Sequence, residues 1–73
     1  MTKEELIEAI EDILMIDLGT LELDKNLNEY EDWDSMAHLS LLALFDSKLQ
    51  IKIKPKDIRT MQTARDILLK AQV

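Results

Sequence analysis

The sequence predicts an all-α fold: a small antiparallel helical bundle of three main helices and one short one, with a long loop after the first helix. Three observations predict it. Apolar residues recur at helical spacing near both ends of the chain. A run rich in Leu, Ala and Met from Ser35 to Leu49 has no Gly or Pro to interrupt it. The chain has 73 residues with one Gly, one Pro and no Cys, which leaves little room for irregular structure. Residues 1–73 are expected to form one domain. A domain of this size buries only about 60% of its unfolded surface, so it holds one modest core and no deep, enclosed active site. That counts against an enzyme.

At the amino end, Thr2 followed by Glu5 matches a capping box. Leu6, Ile7, Ile10, Ile13 and Leu14 then repeat as on a helix, which predicts a first helix from Lys3 to Met15 with its acidic residues facing water. Between Ile16 and Trp33 the apolar residues Leu18, Leu21, Leu23, Leu27, Tyr30 and Trp33 follow no sustained period. The expectation is a long loop pinned across the helical core by these side chains, and loops of that length are often functional.

Asp34 is a good N-cap for the second helix, Ser35 to about Leu49. On a wheel of about 100° per residue, Leu41, Leu42, Phe45 and Leu49 form one broad face, while Met36, Leu39, Ser40 and Ala43 lie on another. A helix apolar on two sides needs two neighbours: the domain's own core for one, a partner for the other. Ile51 and Ile53 alternate with Lys52 and Lys54 as in a strand, but no second strand is offered, so this segment reads as an extended linker. Pro55 suits the first position of a short helical turn ending before Thr60. Thr60 or Thr63 caps the last helix, which buries Ala64, Ile67, Leu68 and Ala71.

Composition narrows the chemistry. Without cysteine there is no disulfide, thiolate metal site or cysteine nucleophile, and a single histidine, His38, removes most zinc and His-dependent hydrolase schemes. Fifteen acidic against nine basic residues give a formal charge of −6, a surface that phosphate backbones repel, so no nucleic-acid partner is expected. No apolar run approaches the roughly 18 residues of a membrane span, and Met1 to Asp12 is too charged for a signal peptide. A cytoplasmic monomer is the expectation.

Trp33, Asp34, Ser35 and Met36, opening an apolar helix in mid-chain after a long acidic loop, resemble the modification site of the acyl carrier protein family. The resemblance spans nearly the whole chain: the capped first helix, the loop, the Asp-Ser-Met helix start, the Ile51 and Ile53 segment and the Thr-led last helix. Asp-Ser alone is weak, because it recurs at Asp46 and Ser47. The resemblance implies that Ser35 carries 4′-phosphopantetheine, derived from coenzyme A and joined to its hydroxyl by a phosphodiester. The terminal thiol of that arm holds acyl or aminoacyl groups as thioesters. It also implies as partners a phosphopantetheinyl transferase and the enzymes that load and process the cargo.

Physical chemistry agrees with that assignment. A serine at a helix start is exposed to a transferase, and the helix N-terminus offers N–H groups and a positive dipole end worth about 0.3–1 kcal/mol to an anion. The cofactor's sulfur lets a cysteine-free protein take part in thioester chemistry. In the resemblance, Asp34 also helps the transferase engage, and Met36, Leu39 and Ala43 face partner enzymes. His38 falls on the core-facing side as a packed histidine, with contact to the arm or its cargo as the second reading. Trp33 anchors the end of the loop, and Ser47 is a solvated surface residue. Carriers of fatty acid synthesis usually present several acids on the second helix, whereas Ala37, Ser40, Ser47 and Lys48 stand at such positions here. The chain is therefore more similar to stand-alone carriers of specialised pathways.

Two alternatives belong to other classes. Asp24, Asn26, Asn28 and Asp32 occupy the first, third, fifth and ninth places of a twelve-residue calcium loop, but Glu29 stands where glycine is needed and Ser35 where a glutamate should close the shell. The other is an unmodified interaction domain that uses the Met36, Leu39 and Ala43 face alone.

Overall fold

The computed structural model describes residues Met1–Val73. Helix α1 (Lys3–Leu14) begins with the expected reciprocal cap: Thr2 Oγ1 accepts the Glu5 N–H at 3.1 Å, and the Glu5 carboxylate accepts the Thr2 N–H at 2.8 Å. That bond holds the Glu5 carboxyl below its ordinary pKa. The helix stops one residue before the predicted end, because Met15 turns left-handed (φ 58°) and returns its N–H to Asp12 and Glu11.

Leu6, Ile10 and Leu14 are buried, but so is Glu11, at 1% exposure. The acidic residues of α1 therefore do not all face water. Glu11 turns inward because its carboxylate accepts the N–H groups of Gly19 (2.8 Å) and Leu21 (3.0 Å). A buried carboxylate needs such donors, and here it supplies acceptors to a loop that has no ladder of its own. Gly19 sits at φ +83°, a conformation glycine adopts freely.

The rest of the loop is tied along its length. The Tyr30 hydroxyl accepts the Glu22 N–H, the Leu27 N–H donates to the Gln62 carbonyl at 2.7 Å, and the Arg65 N–H donates to Leu23 at 3.1 Å. Arg65 also forks onto both oxygens of Asp24, at 2.8 and 3.2 Å. Leu27 and Tyr30 reach the core, with Leu21, Leu23 and Trp33 packed against it. Leu18 does not pin the loop: it is 72% exposed, since the chain on either side of it is already held through Glu11.

Helix α2 (Ser35–Leu44) continues directly into a wider π-helical turn, Phe45–Leu49, which a left-handed Gln50 ends. The predicted helix thus reaches Leu49, but its last turn is expanded, with the Gln50 and Ile51 N–H groups both directed to the Phe45 carbonyl. Ile51 and Ile53 follow as extended chain packed on the core and form no strand. Helix α3 (Pro55–Arg59) has proline in its first turn, and the Asp57 carboxylate accepts the Lys54 N–H. Helix α4 (Ala64–Ala71) follows Thr63, with Asp66 accepting from the Gln62 and Thr63 N–H groups. It buries Ala64, Ile67, Leu68 and Ala71, the predicted stripe.

Helix α1 packs on α2 and α4, and α3 packs on α2. Phe45, Leu41, Leu6, Ile10, Ile58 and Ile67 meet in the centre at 0–1% exposure. Burying each such side chain is worth about 1.5–3 kcal/mol. Because Ala37 and Leu41 of α2 and Phe45 of the turn that follows face the core from one side only, the opposite side of the helix and its start are left at the surface.

Candidate functional site

The start of α2 is built by Asp34. Its extended backbone places Oδ1 to accept the Ala37 N–H at 3.1 Å, and its carbonyl accepts the His38 N–H at 3.0 Å. With the cap supplied by Asp34, the next residue, Ser35, is exposed. The N–H groups of Ser35 and Met36 find no acceptor within the chain. An exposed hydroxyl therefore lies beside two free N–H donors at the positive end of a helix dipole, a combination that accommodates a phosphate ester.

The second Asp-Ser pair differs in each respect. Ser47 lies in the π-helical turn and donates its hydroxyl hydrogen to the Ala43 carbonyl at 2.7 Å. No helix start stands behind it.

Met36 and Leu39 are 70% and 61% exposed, and Ala43 is also at the surface, all on the side of α2 away from Leu41 and Phe45. Ala37 is not a surface position: it is 4% exposed, on the same side of the helix as Leu41. A comparison with acid-bearing surface positions therefore holds only for Ser40, Ser47 and Lys48.

Open depressions flank α2 on two sides. One, of about 500 Å³, runs past Met15, Met36 and Ser40 and is bordered by Asp12, Asp32 and Asp34. The other, of about 420 Å³, is formed by Ser35, His38, Leu39, Leu42, Pro55 and Arg59. His38 and Arg59 also line a second, more polar recess of about 390 Å³ with Asn26, Asn28 and Gln62. Trp33 anchors the loop end beside it, its ring edge-on to His38 at 4.6 Å.

Arg59 and Pro55 were not among the sequence-derived candidates. They lie 20 or more positions from Ser35 and reach it only because α3 packs on α2. A basic residue in the last turn of a short helix gives no signal of that neighbourhood.

Two of the four residues of the calcium pattern have their oxygens engaged elsewhere. Both Asp24 oxygens face Arg65, and Asn26 Oδ1 accepts the Asn28 N–H at 2.9 Å to start the 3₁₀ turn Leu27–Glu29. Asp24 is held below its ordinary carboxylate pKa by Arg65. No group of three or more His, Asp or Glu side chains is arranged to hold a metal ion, and no helix is long and apolar enough to cross a membrane.

Residues 4–69 match the family model described as phosphopantetheine attachment site. No curated protein and no solved structure matches the chain.

Proposed function

The chain belongs to the phosphopantetheine attachment-site family, carriers whose members bear covalently attached 4′-phosphopantetheine, and from that premise we propose that Ser35 holds the arm. One observation carries this assignment: Ser35 is the exposed serine at the start of α2, capped by Asp34, with its own N–H and that of Met36 free. A phosphodiester on Ser35 Oγ is stabilised by those N–H groups and by the helix dipole, by about 0.3–1 kcal/mol.

The thiol that the arm supplies bears acyl or aminoacyl groups as thioesters. The chain itself tethers that cargo and catalyses nothing. Tethering keeps an intermediate at high effective concentration for successive enzymes. Met36, Leu39 and Ala43, with Asp34, form the surface that a phosphopantetheinyl transferase and the loading and processing enzymes meet. Methionine suits such a surface because its flexible, polarisable side chain adapts to several partners. The sparse acids on α2 favour a stand-alone carrier of a specialised pathway, acting as a monomer in the cytoplasm.

Intact mass before and after incubation with coenzyme A and a broad-specificity phosphopantetheinyl transferase tests the assignment. The expected result is one added phosphopantetheine on the wild type and none on Ser35→Ala. A folded wild type that gains nothing from several transferases would instead be the unmodified interaction domain.

A further inference from the structure

The distribution of charge around α2 carries a second step. The chain has fifteen acidic residues against nine basic ones, and three of its five surface depressions contain carboxylates: Asp12, Asp32 and Asp34 in one, Asp57 and Asp66 in another, Asp46 in the third. The two depressions that share His38 and Arg59 contain none. Arg59 enters neither of the chain's two ion pairs, Lys25–Glu22 and Arg65–Asp24. Nε2 of His38 is buried without any hydrogen-bond partner. An orphaned buried polar atom is rare and costly in a folded protein.

The two halves of this acid-free trough differ. Beside Ser35 the walls are Leu39, Leu42 and Pro55, with His38 and Arg59 completing the lining. The second recess is lined by Asn26, Asn28 and Gln62, residues whose side-chain amides can donate beside the Arg59 guanidinium, together with Trp33, Ile58 and Met61. The floor there is fixed, because the Leu27 N–H bonds the Gln62 carbonyl at 2.7 Å and Asn26 pairs with Thr63. A cation and several amide donors without a competing carboxylate form a receptor for an anionic oxygen group.

We propose that this recess binds the acidic end of the cargo, so that the chain carries an acyl group ending in a carboxylate in preference to a plain alkyl chain. The inference rests on Ser35 as the attachment point. The arm's own phosphodiester, fixed to Ser35 Oγ, is a second source of anionic oxygen in a depression that Arg59 also lines, and the cargo-free arm separates the two sources. His38 is a positioning residue at the junction of the two halves.

The test uses the full chain loaded from coenzyme A, butyryl-coenzyme A or succinyl-coenzyme A. Intact mass first establishes that each arm is attached. The side-chain amide resonances of Asn26, Asn28 and Gln62 and the His38 Nε2 resonance are then compared among the three forms by ¹H–¹⁵N NMR. Succinyl cargo is expected to shift these signals relative to both the butyryl and the cargo-free forms, and the shift is expected to be lost in Arg59→Gln, an exposed position whose change leaves the fold intact. Identical succinyl and butyryl spectra at these groups would overturn the proposal. So would a shift already complete with the cargo-free arm, which would assign the recess to the phosphodiester. An unchanged mass would remove the Ser35 assignment and this inference together, whereas a loaded chain with unshifted amides would remove only the inference.

Discussion

The two flanks of α2 share one helix yet present opposite chemistries. On one side Met36 and Ser40 stand over Met15, among Asp12, Asp32 and Asp34. On the other, Leu39 and Leu42 lean toward Pro55, with His38 and Arg59 and no carboxylate. The difference shows that one helix over one core can present two unlike surfaces. Leu41, Phe45 and Ala37 anchor the helix inward, so the flanks on either side can diverge in charge without altering the fold. Under the function proposed above, the acid-bordered flank would meet protein surfaces that carry basic and apolar groups, and the acid-free flank would meet the load.

Changes at the shared anchor should affect both flanks equally. Phe45→Ala removes the largest fully buried side chain and is expected to lower stability by about 3–5 kcal/mol, read from the denaturant midpoint. That is a large part of the 5–15 kcal/mol typical of a whole domain. Glu11→Ala strips the loop of its acceptor for the Gly19 and Leu21 N–H groups. A loss of about 1–3 kcal/mol is expected, together with faster amide exchange at residues 19 and 21. Equal exchange rates in the two proteins would show that Glu11 does not hold the loop.

Asp34→Ala should cost about 1 kcal/mol as a lost cap, in thermal denaturation, and should also slow arm transfer. Met36→Glu separates the flanks more sharply. Its stability is expected to stay within about 0.5 kcal/mol of wild type, while kcat/KM of the transferase falls about fivefold or more, as for loss of an interface contact worth roughly 1 kcal/mol. An unchanged rate would move partner recognition off this flank.

The smallest effect is that of pH. Glu5, Asp24 and Asp57 are each held below their ordinary values of 4.5, 3.8 and 3.8, by the Thr2 N–H, Arg65 and the Lys54 N–H respectively. A lowered folded-state pKa means stability that is full above the unfolded value and lost as pH falls through the folded one. Melting temperature should therefore be flat from neutral pH down to about 5 and decline below 4. Asp24→Asn is expected to make that decline shallower.

Much of this was legible in the sequence because it is local. Thr2 with Glu5, Asp34 before Ser35 and the stripe Ala64, Ile67, Leu68 and Ala71 are all written within a few residues of one another, and each appears in the structure as caps or core. Glu11 falls beside Ile7 and Leu14 on a helical wheel, so its inward position was also legible, although a carboxylate is ordinarily solvated. The neighbourhood of His38, Arg59 and Gln62 was not legible. It depends on where the extended Ile51–Lys54 segment sets α3 down, and no periodicity encodes that.

The two Asp-Ser pairs test the central claim most directly, because they share a dipeptide and differ in structure. Ser35 heads a helix, with two N–H groups free beside it, whereas the Ser47 hydroxyl is bonded to the Ala43 carbonyl within a π-helical turn. Digestion and fragmentation mass spectrometry of the chain after treatment with coenzyme A and transferase would locate the adduct. The account predicts phosphopantetheine on the peptide containing Ser35 and none on Ser47. An adduct on Ser47, or on both serines equally, would contradict it.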